Sequence, residues 1–528
     1  MDRETRKVKR NIRKAENQIF RLLFKTAFVI AALVLQIAVF WFVFSVGNLL
    51  YSSQYYIYAI VRIIAVIYII SRHDSSLYKI PWMLFILFMP VLGISVFILW
   101  GNNRMRSRKQ NEIKSVENDT NYLFADSYDA DEYLRQENKL KYNIFNYIKN
   151  ITSYPACNNS GCKYYNLGEK LFDDLLVDLK NAKRFIFLEY YIIDRGKLTD
   201  KIFDVLKEKA DSGVEVKIIY DSYGCINKFK KKAKDDLKAH GVEVYAFNPI
   251  PLFLNSYLNN RLHRKIVSID GNISYTGGIN LADEYANLKE LYGHWKDVGV
   301  RMEGEVSWSF TLMFLRDLKF IDKKLEIEYN KYRSISNNEI EKTQDIGIIS
   351  AISDGPNNRK NPIEAVYMQI INTAKEYVYI TTPYFAISEP MLEAILTAAR
   401  SGVDIRIMVP HIPDKKIVQM VTRSYYEVLL AAGVKVYEYA PGFIHSKTFV
   451  SDDDISVVGS ANMDYRSMSL NYECACVTYK TGSEIDVRDD FINMIEETSI
   501  QIEFKDWIKR NWMIKVLESI LKTFSTMF

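Results

Sequence analysis

Ala210-Asp211-Ser212-Gly213-Val214-Glu215-Val216-Lys217-Ile218-Ile219 and Ala399-Arg400-Ser401-Gly402-Val403-Asp404-Ile405-Arg406-Ile407-Met408 are the same pattern written twice. In each, a helix end meets a glycine cap and then a β-branched run of the kind buried between helices. Ala239-His240-Gly241-Val242-Glu243-Val244-Tyr245 and Ala431-Ala432-Gly433-Val434-Lys435-Val436-Tyr437 repeat the device further along each copy. Helix, glycine and apolar strand in recurrence mark an α/β layer structure. The spacing predicts two homologous, pseudo-symmetric α/β halves, each a mixed sheet flanked by helices. We place them at residues 151–321 and 347–500, with a charged linker over 322–346.

Outside the repeat, the apolar residues crowd into three segments, 26–50, 55–71 and 80–100, which make residues 26–101 an expected transmembrane anchor. A bilayer core of about 30 Å needs about 20 helical residues, so the first and third segments are expected to span. The second is shorter and carries Arg62, which leaves two or three crossings open. A cleaved signal peptide fits the first segment poorly, because it is too long and lacks a small-x-small exit.

Arg3, Arg6, Lys7, Lys9, Arg10, Arg13 and Lys14 make residues 1–25 a basic, cytoplasmic N-terminus. Arg104, Arg106, Arg108 and Lys109 vote for the same side, giving a multi-pass protein of the cell membrane with a cytoplasmic catalytic region. Residues 102–150 are polar and are expected to be a tether. In residues 501–528, Ile508, Trp512, Val516 and Ile520 sit at helical spacing among Lys505, Lys509, Lys515 and Lys522. This amphipathic helix suits either a core or a membrane surface.

The charge balance excludes one large class. With 69 basic against 64 acidic residues, interleaved, the chain lacks the footprint of a nucleic-acid binder, and no nucleic-acid partner is expected. The five cysteines are odd in number and none stands beside a His at metal-ligand spacing, so they read as free core thiols.

Two of the six histidines head one shared frame. His263, Lys265, Asp270, Gly277 and Asn280 recur, offset for offset, as His445, Lys447, Asp452, Gly459 and Asn462. A lone H-x-K is a surface accident; five matched positions in each half of a repeat are not. His and Lys two apart on a strand face one side, and small residues after them let the backbone approach a ligand. Lysine is a poor metal ligand at neutral pH, so neither a metal nor another cofactor is expected.

These frames resemble the phospholipase D superfamily and, within it, the bacterial cardiolipin synthases, from about Ile64 to the C-terminus. F-L-E-Y-Y-I (Phe187 to Ile192), R-L-H-R-K (Arg261 to Lys265), G-G-I-N-L-A-D-E-Y (Gly277 to Tyr285), W-K-D (Trp295 to Asp297), T-T-P-Y-F (Thr381 to Phe385) and N-M-D-Y-R-S (Asn462 to Ser467) carry the likeness. Ser460 departs from it, standing where many relatives have Thr, and the first apolar segment is additional.

The resemblance implies a phosphohistidine intermediate, with His263 as nucleophile and His445 as general acid, then base. Lys265, Lys447, Asn280 and Asn462 would surround the phosphoryl oxygens. Asp270 and Asp452 belong to the catalytic motif and read as braces within it, not as proton carriers. Glu473 and Asp297 are expected to orient His445 and His263 respectively, each also explicable as a structural ion pair. Arg466 and Ser467 suit a headgroup phosphate or a strand cap.

The implied reaction transfers a phosphatidyl group between two phosphatidylglycerol molecules, giving cardiolipin and glycerol, with membrane lipids as partners. Hydrolysis or headgroup exchange with another alcohol would use the same intermediate. A nucleic-acid phosphodiesterase would need a basic groove, and a non-enzymatic scaffold would not need two intact motifs. Oligomeric state is left open by the sequence.

Overall fold

The computed structural model describes residues 30–31, 33–34, 36–38, 53–101, 105, 107–124, 130–158, 160–249, 259–334, 347–358 and 360–527. The chain divides into two compact units. One comprises residues 1–104, 249–260 and 523–528, the other residues 105–248 and 261–522.

In the first unit, α1 (Ser53–Ser71), α2 (Ser76–Phe88) and α3 (Pro90–Trp100) follow one another. The single helix expected over residues 80–100 is broken. Met89 leaves helical geometry at φ −132° and ψ 69°, and Pro90 begins α3. Proline has no amide proton and its ring crowds the preceding turn, so an α-helix does not run through it easily, however apolar the run. Gly93 takes the inside of the bend, where a Cβ would stand 2.9 Å from the Ile86 Cα.

Arms of 13 and 11 residues are about 20 Å and about 16 Å long, each short of a bilayer core of about 30 Å. Among the described residues, no helix is long and apolar enough to cross a membrane. The first expected segment, 26–50, lies mostly outside the described residues. The ambiguous second segment is α1, whose Arg62 reaches the Leu87 carbonyl at 3.5 Å. Trp82 and Phe97 close the helices together, their rings edge to face at 5.1 Å.

The second unit holds both halves of the repeat. After β1 (Ala156–Cys157) come β2 (Ser160–Tyr165), β3 (Phe185–Tyr190), β4 (Glu215–Asp221), β5 (Glu243–Phe247), β6 (Lys265–Ile269), β7 (Ile273–Gly277), β8 (His294–Lys296) and β9 (Gly299–Gly304). Seven of them form one sheet in the order β2-β9-β7-β6-β3-β4-β5. The second half supplies β10 (Ile348–Asp354), β11 (Tyr377–Thr381), β12 (Phe385–Ala386), β13 (Asp404–Pro410), β14 (Lys435–Tyr439), β15 (Gly442–Ile444), β16 (Thr448–Ser451), β17 (Ile455–Gly459), β18 (Met463–Asp464), β19 (Glu473–Tyr479) and β20 (Ser499–Gln501).

The second sheet runs β1-β10-β19-β17-β16-β11-β13-β14-β20. Without its two end strands it matches the first strand for strand, as the repeat requires. Both sheets are mixed: β3, β4 and β5 are parallel, as are β11, β13 and β14, while the motif strands β6 and β16 join antiparallel. Ile266, Val300 and Met302 of the first half share one core with Ile349, Val458 and Cys476 of the second, so the halves fold against each other.

The tether expected over residues 102–150 is corrected. Helices Ser107–Thr120, Asp131–Glu137 and Lys139–Thr152 belong to this unit. Leu134, Ile144, Phe145 and Ile148 are buried in the core of the second half beside Ile348, Tyr367 and Tyr479. Ile144, Phe145 and Ile148 form an apolar stripe of helical period, concealed in the sequence by the lysines and asparagines around them.

The start of the charged linker is also docked. The Tyr332 hydroxyl donates to Glu215 at 2.7 Å and its ring meets Phe185 edge-on, while residues 335–346 lie outside the described residues. At the C-terminal end, helix Trp512–Thr523 leaves Trp512, Val516 and Ile520 exposed, with Ile508 just before it, so these residues do not form a core.

Candidate active site

Strand pairing assembles the site. The backbone amide of His263 donates to the Tyr472 carbonyl at 2.9 Å, and the Tyr472 amide returns a bond to Arg261 at 2.8 Å. On the other side, β15 runs parallel to β8, and the His445 amide donates to the Lys296 carbonyl at 2.7 Å. Each motif histidine is therefore bonded through its backbone amide to the residue just before the opposite half's carboxylate.

The expected pairing of carboxylates and histidines is consequently reversed. His263 Nδ1 meets Glu473 at 2.9 Å, and His445 Nδ1 meets Asp297 at 2.6 Å. Sequence proximity favoured a partner within the same half. The short bridges between halves place the partner in the other one, so neither half can build its histidine site alone.

The lysines face the same space. Lys265 and Lys447 each donate to the carbonyl of their own motif histidine, and Lys447 Nζ also lies 2.9 Å from His445 Nδ1. All four side chains are buried. Burial pulls His263 down to about 4 and Lys265 down to about 8. Burial, joined by the charges of Lys447 and Lys265, carries His445 well below its ordinary value. Lys447 is lowered to about 7, by burial and then by Lys265. The site is an electropositive, water-poor chamber with two neutral imidazoles, built to receive an anion.

The two carboxylates differ. Burial opposes the charge of Glu473, but His263, Lys265 and the hydroxyl of Ser460 outweigh it and hold the group below its ordinary range. Ser460 Oγ donates at 2.5 Å and Asn471 Nδ2 at 3.1 Å. Among the described residues, Asp297 accepts from the Val298 amide at 2.8 Å and from no hydroxyl, and burial pushes it up to about 7 despite the nearby lysines. Gly278 occupies the place of Ser460 in the first half, and a Cβ there would stand 2.1 Å from Asp297 Oδ1.

Asp270 and Asp452 are not at the chemistry. Asp270 accepts from the amides of Lys183, Arg184 and Phe185 at 2.8, 2.8 and 2.9 Å, and Asp452 from those of Lys375, Glu376 and Tyr377 at 2.8, 2.9 and 3.0 Å. Each lies five residues beyond its motif lysine, about 16 Å along a strand, and clamps the start of the adjoining strand. The asparagines are unequal. Asn280 is engaged, accepting from the Ile192 amide and donating to the Tyr285 hydroxyl, whereas the buried Asn462 Oδ1 has no partner among the described residues. Asp464 accepts from the Ser467 amide at 2.8 Å and caps helix Tyr465–Ser469.

Aromatic rings wall the chamber. Tyr191 packs against His263 at 5.0 Å, and Tyr285, Trp295 and Phe443 surround His445 at 5.6, 5.6 and 5.8 Å. Sequence reasoning did not assign Ser460, Asn471 or this wall. The matched frames gave one signal that could have found the first, since Ser460 aligns with Gly278 and only one of them can donate.

A pair of H-x-K motifs, one from each half of a duplicated α/β body and converging on one electropositive chamber, defines an enzyme of the phospholipase D type. The sequence profile described as "Cardiolipin synthase, PLD-like domain" matches residues 175–291 and 367–495, and "Phospholipase_D-nuclease N-terminal" matches residues 56–102. A cardiolipin synthase of Halalkalibacterium halodurans is 33% identical over 86% of this chain and 89% of its own length. One of Clostridium perfringens is 34% identical over 84% and 93%. An uncharacterized protein of Streptococcus mutans is 36% identical over 80% and 91%. The chain belongs to the cardiolipin synthase family of phospholipase D-like phosphatidyltransferases. The crystal structure of a phosphatidylserine synthase from Haemophilus influenzae shares the fold, with a TM-score of 0.56, 14% identity and coverage of 74% of this chain and all of that one.

Proposed function

We propose that the protein synthesises cardiolipin, transferring a phosphatidyl group from one phosphatidylglycerol to the hydroxyl of another through a phosphohistidine. The observation that carries the assignment of roles is the unequal pair of carboxylates. Glu473, held anionic, accepts a hydrogen bond from the Nδ1–H of His263 and leaves Nε2 with a free lone pair: the nucleophile. Asp297, titrating near 7, shares a proton with His445, which makes that pair the acid.

His263 Nε2 attacks phosphorus, the bond from phosphorus to the glycerol headgroup oxygen breaks, and the His445 pair protonates the departing glycerol. The hydroxyl of a second phosphatidylglycerol then gives its proton to His445 and attacks phosphorus. The P–N bond breaks, and cardiolipin and a neutral His263 are released. Lys265 and Lys447 offset the charge on the phosphoryl oxygens in both transition states. No nucleotide drives the exchange between two diesters, so added glycerol reverses it.

The family of the relatives, the N-terminal apolar residues and the exposed apolar face of helix Trp512–Thr523 support placement at the cell membrane. The basic flanks, Arg3 to Lys14 and Arg104 to Lys109, favour a catalytic unit on the cytoplasmic side. The deciding experiment is mass spectrometry of lipids formed by purified protein in phosphatidylglycerol vesicles. Cardiolipin with equimolar glycerol is expected; mainly phosphatidic acid would make the protein a hydrolase.

A further inference from the structure

Three loops of the catalytic unit expose apolar side chains to solvent, and each is joined to a catalytic histidine through a ring contact. The loop after β4 carries exposed Tyr223 and Ile226. Its Gly224 packs so tightly on Tyr191 that a Cβ would stand 2.2 Å from the Tyr191 carbonyl, and Tyr191 lies on His263. The loop before β8 carries Leu291 and Tyr292, and the Tyr292 ring touches Trp295 and Phe443, both packed on His445. The loop after β13, the counterpart of the loop after β4, carries Ile412 and leads into helix Lys416–Arg423, whose first turn carries Ile417. It is tied down where the Tyr384 hydroxyl donates to Asp414 at 2.5 Å, and Tyr384 meets Phe443.

Exposed Ile, Leu and Tyr on segments that each pack behind a motif histidine are costly in water. Their charged neighbours say what covers them. Lys230, Lys231, Lys232, Lys289, Lys415 and Lys416 stand on or beside these loops, with Lys228 paired to Asp194 at 3.5 Å, against Glu290 and the Tyr384-bound Asp414. Lysine flanking aliphatic and tyrosyl tips suits the boundary between anionic headgroups and acyl chains, where stems lie in the apolar layer and ammonium groups reach phosphate.

We propose that this rim, formed by Tyr223, Ile226, Leu291, Tyr292, Ile412 and Ile417, inserts into an anionic phospholipid leaflet and seats the active-site mouth on it. Substrate then passes from the leaflet into the chamber without its acyl chains crossing water, and water is displaced from the mouth while the phosphohistidine exists. The inference rests on the lipid reading of the site and gives the docking surface it requires.

The test uses the full chain in vesicles of phosphatidylglycerol and phosphatidylcholine, with Cys162→Ser to remove the half-exposed thiol. Nitroxides attached at Leu291→Cys and at Ile417→Cys are expected to become accessible to oxygen and shielded from a water-soluble nickel complex. Leu291→Asp with Ile417→Asp is expected to raise KM for vesicle phosphatidylglycerol at least tenfold while leaving turnover of monomeric short-chain phosphatidylglycerol unchanged. Labels that stay accessible to nickel, or an unaltered vesicle KM, overturn the proposal. Loss of turnover on the short-chain substrate also counts against it, because the substitutions then act on the chamber. Wild-type protein that makes no cardiolipin from either substrate defeats the functional reading, while the nitroxides still report insertion.

Discussion

The two halves have the same strand order, the same H-x-K frame and the same clamping aspartate, yet they surround their histidines differently. On the His263 side, His263 itself, Lys265 and the Ser460 hydroxyl hold Glu473 below its ordinary range, and Asn471 donates a further bond to it. On the His445 side a glycine stands in place of that serine, and Asp297 titrates near neutrality. Duplication supplies two equivalent imidazoles, and the proposed roles of base-like and acid-like partner rest on the polar environment behind each. A hydroxyl present at one position and absent at the other is one part of that difference, in a buried site where charge is poorly screened.

The strongest way to break the comparison is to ask whether there are two sites or one. With one shared site, His263→Ala and His445→Ala each abolish synthesis, by about 10⁴-fold or more, with circular dichroism and thermal unfolding close to wild type. Two independent sites would leave each variant with roughly half the activity, and a steady-state assay separates these outcomes without ambiguity.

The next test sharpens the division of labour. Asp297→Asn removes the proton shared with His445 and is expected to cost about 10² to 10⁴-fold with phosphatidylglycerol. A diester with a p-nitrophenolate leaving group needs no acid, so most of that loss should vanish with it. Glu473→Gln harms the nucleophile instead, and the p-nitrophenyl substrate does not rescue it. The pH profile carries the same signature.

In the free enzyme, activity is lost as pH falls through about 4, where His263 is protonated. It is also lost as pH rises through about 7 to about 8, where Asp297, Lys447 and Lys265 give up protons. A bell in kcat/KM is expected between those limits. In Asp297→Asn the contribution of that group to the alkaline limb disappears. In Glu473→Gln the acid limb moves to lower pH, since the charge that held the His263 proton is gone. Equal behaviour of the two variants would mean the halves are functionally symmetric.

Much of this site was legible in the sequence, because offsets of five matched residues survive folding unchanged. The duplicated frames put His263, Lys265, His445 and Lys447 together, and the glycine-strand repeats foretold two like sheets. The crossed carboxylates were not legible. Glu473 and Asp297 follow the histidines of their own halves at unremarkable distances, and only the pairing of β8 with β15 and of Leu262 with Tyr472 decides the exchange. Two further readings failed for local reasons. Averaged polarity over residues 102–150 hid the stripe Ile144, Phe145 and Ile148, and averaged hydropathy over residues 80–100 hid the break at Pro90. Both are failures of windows longer than one helical turn, the scale on which packing is decided.

The smallest expected effect is the most specific. Ser460→Ala deletes one charge-assisted hydrogen bond to Glu473, of the order of 1.5 kcal/mol, so turnover should fall by about tenfold. The direction of the pH shift distinguishes this from loss of the carboxylate itself. Without the hydroxyl, Glu473 keeps its charge but shares it with fewer donors, so it draws the proton of the His263 pair more strongly. The acid limb of kcat/KM therefore moves to higher pH, opposite to its movement in Glu473→Gln. Ser460→Thr retains the hydroxyl and should restore both rate and limb. A Ser460→Ala profile that overlays wild type would show that the hydroxyl packs against Glu473 without tuning it, and the separation of the two histidines would then rest on Asp297 alone.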